Sequence, residues 1–304
     1  MKPKKSLGQN FLTDTSVLAT IIETANLMGD EVVVEVGGGD GALTRALNSK
    51  VMSSQGAKKG QILALELDYR LIEKLRGEFK NSKSVKIIHQ DAMIFDWEGL
   101  PQGYVVVANI PYQITSPLIN LWTTRLTNQP ASMTLMVQKE VAERLTAQPG
   151  SSDRGLTTIL VELYGEVHYI QTVPAKAFYP VPKVDSAIIN IKRRDLLGSG
   201  DLGSPEVEEE RRTIIKIAER SFDFAQDKFC NKEAIIKVAK FGFSSKRRTL
   251  ENSLSGSLRL SKSTVHAILV EAKISVSLRA EDLSIQNWIQ LTEILQCQIH
   301  KTNQ

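Results

Sequence analysis

The 304-residue chain is poor in the residues from which metal sites and disulfides are built, with only two cysteines, Cys230 and Cys297, and four scattered histidines. Neither set has ligand or bridge spacing, so zinc and disulfide readings both fail. Also missing is any N-terminal apolar run near the ~18 residues a membrane span needs. The opening MKPKKSLGQNF has no signal-peptide core, and the expectation is a cytoplasmic protein. Excess charge is scarce as well. The net charge is +4; residues 1–191 hold 19 Lys and Arg against 19 Asp and Glu, while residues 192–304 hold 19 against 15. Two clusters mark this C-terminal surplus, KRR at 192–194 and KRR at 246–248. They suit a phosphate backbone, or simply a solvated helix face.

What is present points to an α/β fold. With 42% apolar residues, the chain can bury a sizeable core and has room for about two domains. From residue 32 to about 192, short β-branched runs alternate with amphipathic stretches, the pattern of a mainly parallel sheet with helices on both faces. The expected strands are 31–36, 61–67, 85–90, 104–108, 133–138, 166–173 and 185–192, with LIEKLRGEF and KEVAERLTAQ as helices between them. No helix separates the last two strands, so at least one of them should run antiparallel. The first domain then covers 1–194, DLLGSGDLGSP (195–205) is a linker, and 206–304 form a small all-α domain. FDFAQDKFCNKE (222–233) interrupts that helical region and reads as a surface insertion.

VVVEVGGGDGALTRAL sets glycines between a strand and a helix. Gly37, Gly39 and Gly41 let the backbone approach a ligand that helix N–H groups face. The spacing also satisfies G-x-G-x-x-A, so a dinucleotide site competes, as does a turn with no ligand. Glu66 ends the second strand, where a carboxylate can accept the two ribose hydroxyls of an adenosine-containing cofactor. Asp91 ends the third, placing an acceptor beside an adenine edge. Ligands of α/β sheets bind at this carboxyl edge. NAD and S-adenosylmethionine both fit these acids.

ANIPYQITSPL (108–118) decides between them. The exocyclic amine of adenine is a poor nucleophile because its lone pair is delocalised into the ring. To attack a sulfonium methyl it must be held in line while acceptors take its N–H hydrogens. The side-chain oxygen of Asn109 and the carbonyl of Ile110 are such acceptors. Pro111 stiffens the turn between them and Tyr112, and Tyr112 offers a face for an extruded base. Hydride transfer has no use for this tetrad. A plain turn with a buried tyrosine is the bland alternative.

With these motifs in place, the chain resembles the small-subunit ribosomal RNA adenine N6,N6-dimethyltransferases, relatives of the erythromycin-resistance rRNA methyltransferases and of mitochondrial transcription factor B. Eight blocks in order carry the likeness: KKSLGQNFL (4–12), VVEVGGGDGALT (33–44), LALELD (63–68), HQDAM (89–93), ANIPYQITSPL, LMVQKEVAERLTAQPGSSDRG (135–155), AFYPVPKVDSA (177–187) and SSKRRTLENSL (244–254). The resemblance implies a Rossmann-like class I S-adenosylmethionine-dependent methyltransferase sheet, with residues 1–30 capping the cofactor. It assigns Asn10 and Leu12 to the methionine end, Gly37 and Gly39 to the turn, Glu66 to the ribose, Asp91 with Ala92 to the adenine, and Asn109 to the reaction centre. Lys246, Arg247 and Arg248 read as opening a helix, and the resemblance implies that they contact rRNA phosphate. The implied partner is small-subunit rRNA or the assembling small subunit, the implied product is dimethylation of two adjacent adenines in the 3′-terminal hairpin, and the protein is expected to act as a monomer without a metal.

Two departures stand out. Gly38 replaces the family's usual proline, which should loosen the turn, and Arg154 replaces its usual tyrosine in a loop expected near the substrate cleft. The competing readings are a large-subunit rRNA adenine methyltransferase of the resistance type, a ribosome-assembly factor with incidental methylation, and an exocyclic-amine DNA methyltransferase. AFYPVPKVDSA and the C-terminal basic block favour the small-subunit branch.

Overall fold

The computed structural model describes residues 3, 4, 7–53, 60–194 and 232–302. The expected linker at 195–205, the segment 206–222 and all of the insertion except residues 232 and 233 lie outside the described residues. The chain divides into two compact units: Met1–Thr146 with Gly165–Arg193, and Ala147–Tyr164 with Arg194–Gln304.

The first unit begins with a short strand, β1 (Phe11–Leu12), and α1 (Thr15–Ala25). Asp14 caps α1 by accepting from the backbone N–H of Ser16 at 2.9 Å, and the helix stops where Asn26 turns left-handed. Then β2 (Val32–Val36), α2 (Ala42–Ser53), β3 (Gln61–Glu66), α3 (Tyr69–Glu78), β4 (Val85–His89) and β5 (Val105–Asn109) follow. The unit continues through α4 (Thr115–Asn120), β6 (Ser132–Gln138), α5 (Lys139–Leu145), β7 (Gly165–Val173), β8 (Phe178–Tyr179) and β9 (Ser186–Arg193).

Seven strands form one sheet in the order β4-β3-β2-β5-β6-β9-β7. The first five run parallel, and β9 is antiparallel to both of its neighbours. This is the direction change expected from the missing helix. Strands β2, β3 and β5 are nearly continuous apolar runs because helices cover both of their faces. Alternation still sorts β5. Val105 and Val107 pack with Val17 and Ile21 of α1 and Leu43 and Leu47 of α2, each side chain contributing about 1.5–3 kcal/mol of burial. The strand order reverses between β2 and β5, which opens a crevice at their carboxyl ends. Separately, β1 pairs antiparallel with β8 in a two-stranded sheet, Phe11 opposite Tyr179 and Leu12 opposite Phe178, fastening the N-terminal segment to the connection between β7 and β9.

The second unit is helical throughout its described residues: α6 (Leu156–Tyr164), α7 (Lys232–Gly242), α8 (Leu250–Leu258), α9 (Lys262–Glu271) and α10 (Ile285–Thr302). Its core gathers around Trp288, against which Gly242 packs so closely that a β-carbon there would collide with the indole. Residues 147–164, which the sequence pattern assigned to the first domain, belong here, since Ile159 and Leu163 join the same core.

Arg154, expected in a loop near the substrate cleft, is a buried structural residue of this unit. It makes two parallel 2.6 Å bonds to the Glu162 carboxylate and further bonds to the carbonyls of Ala147 at 2.8 Å and Leu283 at 3.2 Å. Such a pair is costly to break from one side because the partner is left uncompensated. Arg154→Ala should therefore destabilise the protein by about 3–5 kcal/mol in urea unfolding. Arg154→Ala/Glu162→Ala should recover part of that loss, and an additive double variant would contradict this account.

Candidate active site

The crevice between β2 and β5 holds a cavity of about 230 Å³. Its floor is the turn after β2. Gly37, Gly39 and Gly41 all have positive φ, at 80°, 56° and 92°, a conformation that glycine adopts without strain. Gly41 has a second reason, since a β-carbon there would lie 2.7 Å from a Leu75 methyl. The N–H groups of Gly37 and Gly38 both donate to the Leu65 carbonyl, at 2.9 and 3.0 Å, so the turn is stitched to the end of β3.

Glu66, the last residue of β3, is buried at 8% exposure. Its Oε2 accepts from Gly39 N at 2.8 Å, and its Oε1 accepts from the N–H groups of Leu67 and Asp68, both at 2.8 Å. A carboxylate has about four acceptor positions. By that count one is left, on Oε2, for a ligand hydroxyl. Asp91 follows β4, and its Oδ1 accepts from Met93 N at 2.9 Å. Ala92 is buried, and its carbonyl is held by the Trp97 indole N–H at 2.9 Å.

Opposite the glycine turn stands the end of β5. Asn109 is its last residue, and a β-carbon on Gly37 would meet the Asn109 carbonyl and the Pro111 ring at 3.7 and 3.8 Å. The Asn109 Nδ2 donates to the Asn10 carbonyl at 3.2 Å, which fixes the amide so that Oδ1 is the acceptor left for a ligand. Ile110 is buried, with its N–H on the Met136 carbonyl at 3.2 Å. Pro111 leads into a 3₁₀ turn, and its carbonyl accepts from Ile114 N at 3.1 Å. The Tyr112 hydroxyl hydrogen-bonds the buried Ser186 hydroxyl of β9 at 2.8 Å, and burial raises its pKa. Above the turn, Asn10 and Leu12 bound the cavity from the N-terminal segment. Phe11 lies over Gly39, with its ring 3.4 Å from where a β-carbon would be. One cavity thus brings together the eleven residues expected at the cofactor and the reaction centre.

The basic trio lies elsewhere, in the helical unit. Lys246, Arg247 and Arg248 are exposed. They do not open a helix: they form the turn that precedes it, and Thr249 caps α8. Three cations within the first turn would oppose the helix dipole, whereas outside the cap they do so less.

Glu35 was not anticipated. It sits in β2 at 0% exposure and lines the cavity; its Oε2 accepts from the Thr44 hydroxyl at 2.6 Å, while its Oε1 has no hydrogen-bond partner among the described residues. Burial pushes its pKa up to about 8. The clue lay in the sequence, because a carboxyl group inside an otherwise apolar run is costly to bury.

Residues 1–201 match the family model described as ribosomal RNA adenine dimethylase. The chain belongs to this family. Curated members called Ribosomal RNA small subunit methyltransferase A are similar along most of their length. The one from Dehalococcoides mccartyi strain CBDB1 is 36% identical over 96% of this chain and 88% of its own. The one from Natranaerobius thermophilus is 32% identical over 96% and 91%. Among solved structures, a dimethyladenosine transferase from Plasmodium falciparum superposes with a TM-score of 0.68 at 23% identity, over 92% of this chain and 95% of that one. The 23S rRNA methyltransferase ErmE superposes with a TM-score of 0.62 at 24% identity, over 94% and 99%. These two structures share the adenine dimethylase fold with this chain.

The raised pKa of Glu35 makes stability depend on pH. Between the ordinary carboxyl value of 4.5 and about 8, the folded protein keeps a proton that the unfolded chain has lost, so stability falls as pH rises through that window. Glu35→Gln should remove this slope. Its advantage over wild type in urea unfolding should grow from pH 5 to pH 8, reaching on the order of a few kcal/mol. Parallel curves for the two proteins would refute the assignment.

Proposed function

We propose that this protein uses S-adenosylmethionine to dimethylate N6 of two adjacent adenosines in the 3′-terminal hairpin of small-subunit (16S) ribosomal RNA, as a step in small-subunit biogenesis. Its membership of the adenine dimethylase family, and the small-subunit methyltransferases at 32–36% identity along nearly the whole chain, support this reading over the large-subunit branch. The observation that carries it is the fixed Asn109 amide at the edge of a cavity floored by the glycine turn.

The residues present suit the cofactor. Glu66 has an acceptor position to spare for ribose, Asp91 and Ala92 stand at the next strand end for adenine, and Gly37 and Gly39 bring backbone close. Asn10 and Leu12 border the remainder, where the amino acid end would lie. When bound, S-adenosylmethionine supplies an electrophilic methyl on a sulfonium. The protein's task is to make a weak nucleophile attack it. The Asn109 Oδ1 and the Ile110 carbonyl accept the two N–H hydrogens of the target amine and localise its lone pair. Tyr112, tethered through its hydroxyl to Ser186, presents a ring on which the extruded base stacks, for about 1–3 kcal/mol. Once methylated the amine is cationic and loses its proton readily, so no strong base is required at this point.

We further assign Lys246, Arg247 and Arg248 to rRNA phosphates, an electrostatic contact that positions the particle and carries no sequence information. A monomer working in the cytoplasm fits this task. Among the described residues, no helix is long and apolar enough to cross a membrane, and no group of three or more His, Cys, Asp or Glu is placed to hold a metal ion.

Labelled methyl transfer from S-adenosylmethionine to small subunits lacking the modification should place dimethyladenosine at two adjacent 3′-end adenines. Asn109→Ala should lower kcat about 10²–10³-fold, the usual loss for one such polar group. Label confined to large-subunit RNA would overturn the reading. Replacing Lys246, Arg247 and Arg248 with Glu should abolish particle binding at moderate salt yet leave S-adenosylmethionine binding intact, as filter binding and calorimetry would show. Unchanged particle binding would remove the phosphate assignment.

A further inference from the structure

Asp68 has no part in the chemistry above, yet among the described residues its carboxylate is the most heavily engaged in the first unit's loops. It lies two residues beyond β3, with its side chain at 0% exposure. As the N-cap of α3 it accepts from Arg70 N at 3.3 Å. A cap needs no more than that. Here the same carboxylate also takes Arg70 Nε at 3.0 Å and Nη2 at 2.6 Å, Lys4 Nζ at 3.2 Å and Gln9 Nε2 at 3.1 Å. Its pKa is held well below the usual carboxylate range, chiefly by the Arg70 guanidinium, with Gln9 and Lys4 adding to the effect.

The two N-terminal partners are themselves joined. Lys4 N donates to Gln9 Oε1 at 2.7 Å, so both ends of the Gln9 amide are committed. Gly8, at φ +63°, reverses the chain between them, and a β-carbon there would collide with the Gln113 side-chain amide. Asn10, the next residue after Gln9, presents the carbonyl that fixes the Asn109 amide. Residues 11 and 12 are then clamped by pairing with β8. The segment is thus anchored at both ends, and among the described residues its only charged anchor is Asp68.

We propose that Asp68 is a positioning residue, a latch that, through Lys4 and Gln9, holds residues 7–10 at the cavity and, through Asn10, sets the orientation of the reaction-centre amide. This rests on the reading of the cavity as the cofactor site. Without the latch, Asn10 loses its fixed place, and the Asn109 amide is free to rotate and turn its N–H₂ toward the target amine. An opened latch should therefore weaken cofactor binding and lower kcat together, while the strand-borne part of the fold stays intact.

The test is a charge swap. In Gln9→Glu two carboxylates face each other, and the latch opens. In Gln9→Glu/Asp68→Asn the polarity of the bond is reversed, with the amide introduced at position 68 donating to the carboxylate introduced at position 9, and the latch closes again. Calorimetry with S-adenosylmethionine should show Kd raised roughly tenfold or more in Gln9→Glu, the loss expected for a hydrogen bond to a charged group. The double variant should return to within about threefold of wild type. Amide hydrogen exchange of the peptide spanning residues 7–13, measured without cofactor, should rise in the single variant and fall back in the double. Gln9→Leu, which removes the donor without adding charge, covers the case in which the double variant does not fold; it should raise Kd several-fold with the melting temperature unchanged. Unaltered Kd and exchange in Gln9→Glu and Gln9→Leu, or a double variant worse than either single one, would overturn the latch. If wild type itself fails to bind S-adenosylmethionine, the cofactor reading falls, and the exchange measurement still decides whether Asp68 holds the segment.

Discussion

The site depends first on one carboxylate. Glu66 accepts backbone N–H groups from Gly39, Leu67 and Asp68, and those residues belong to two neighbouring βα connections. The glycine turn after β2 has no side chains with which to hold its own shape, so its shape must be imposed from outside. Glu66 and the Leu65 carbonyl impose it, the first on Gly39 and the second on Gly37 and Gly38. The same bonds satisfy N–H groups that a turn at the sheet's carboxyl edge would leave orphaned. The side chain proposed to take the ribose is therefore rigid before any ligand arrives, and a ligand there need not supply the ordering.

Gly38 takes part in that frame. Its N–H shares the Leu65 carbonyl with Gly37, a bond that the proline usual in the family could not donate. The chain gives up a fixed φ and gains a second stitch to β3. A β-carbon at this position would lie 3.2 Å from a Leu75 methyl, so the packing beneath the turn is already close. The looseness expected from Gly-Gly-Gly is offset by hydrogen bonds that a motif does not display.

The sheet was legible because its strands are β-branched runs of the right length, and the sequence-drawn boundaries fall within about a residue of the observed ones. The turn at Asn109, Pro111 and Tyr112 was legible as an unusual strand end, and the structure sets all three on the cavity. What escaped notice depends on residues far apart in the chain. The Asn109–Asn10 bond spans 99 positions, and no local pattern announces it. Arg154 was expected near a substrate cleft on the family resemblance alone, whereas its partners are Glu162 and the carbonyl of Leu283. The basic trio read as the start of a helix because it adjoins the helical stretch LENSL directly. Thr249, whose hydroxyl accepts from Asn252 N at 3.5 Å, puts the boundary after the charges.

Between Glu98 and Arg125 no side chain carries a charge, and the proposed reaction centre lies in the middle of that stretch. On that proposal the neutrality has a catalytic reason. Methyl transfer begins with a positive charge at the cofactor and ends with it on the target amine. An ionised carboxylate at position 109 would stabilise both states to a similar degree, because the charge moves only a short way, and uniform stabilisation does not speed the step. It would also have to be desolvated beside the apolar wall formed by Ile110 and Ala108, both buried. An amide oxygen acts differently. Its dipole is short-ranged and pointed, so it favours the amine that carries the developing charge over a cation further off. That selectivity survives only while the amide faces the right way, which is why an acceptor for its Nδ2, here the Asn10 carbonyl, belongs to the catalytic apparatus as much as the amide itself.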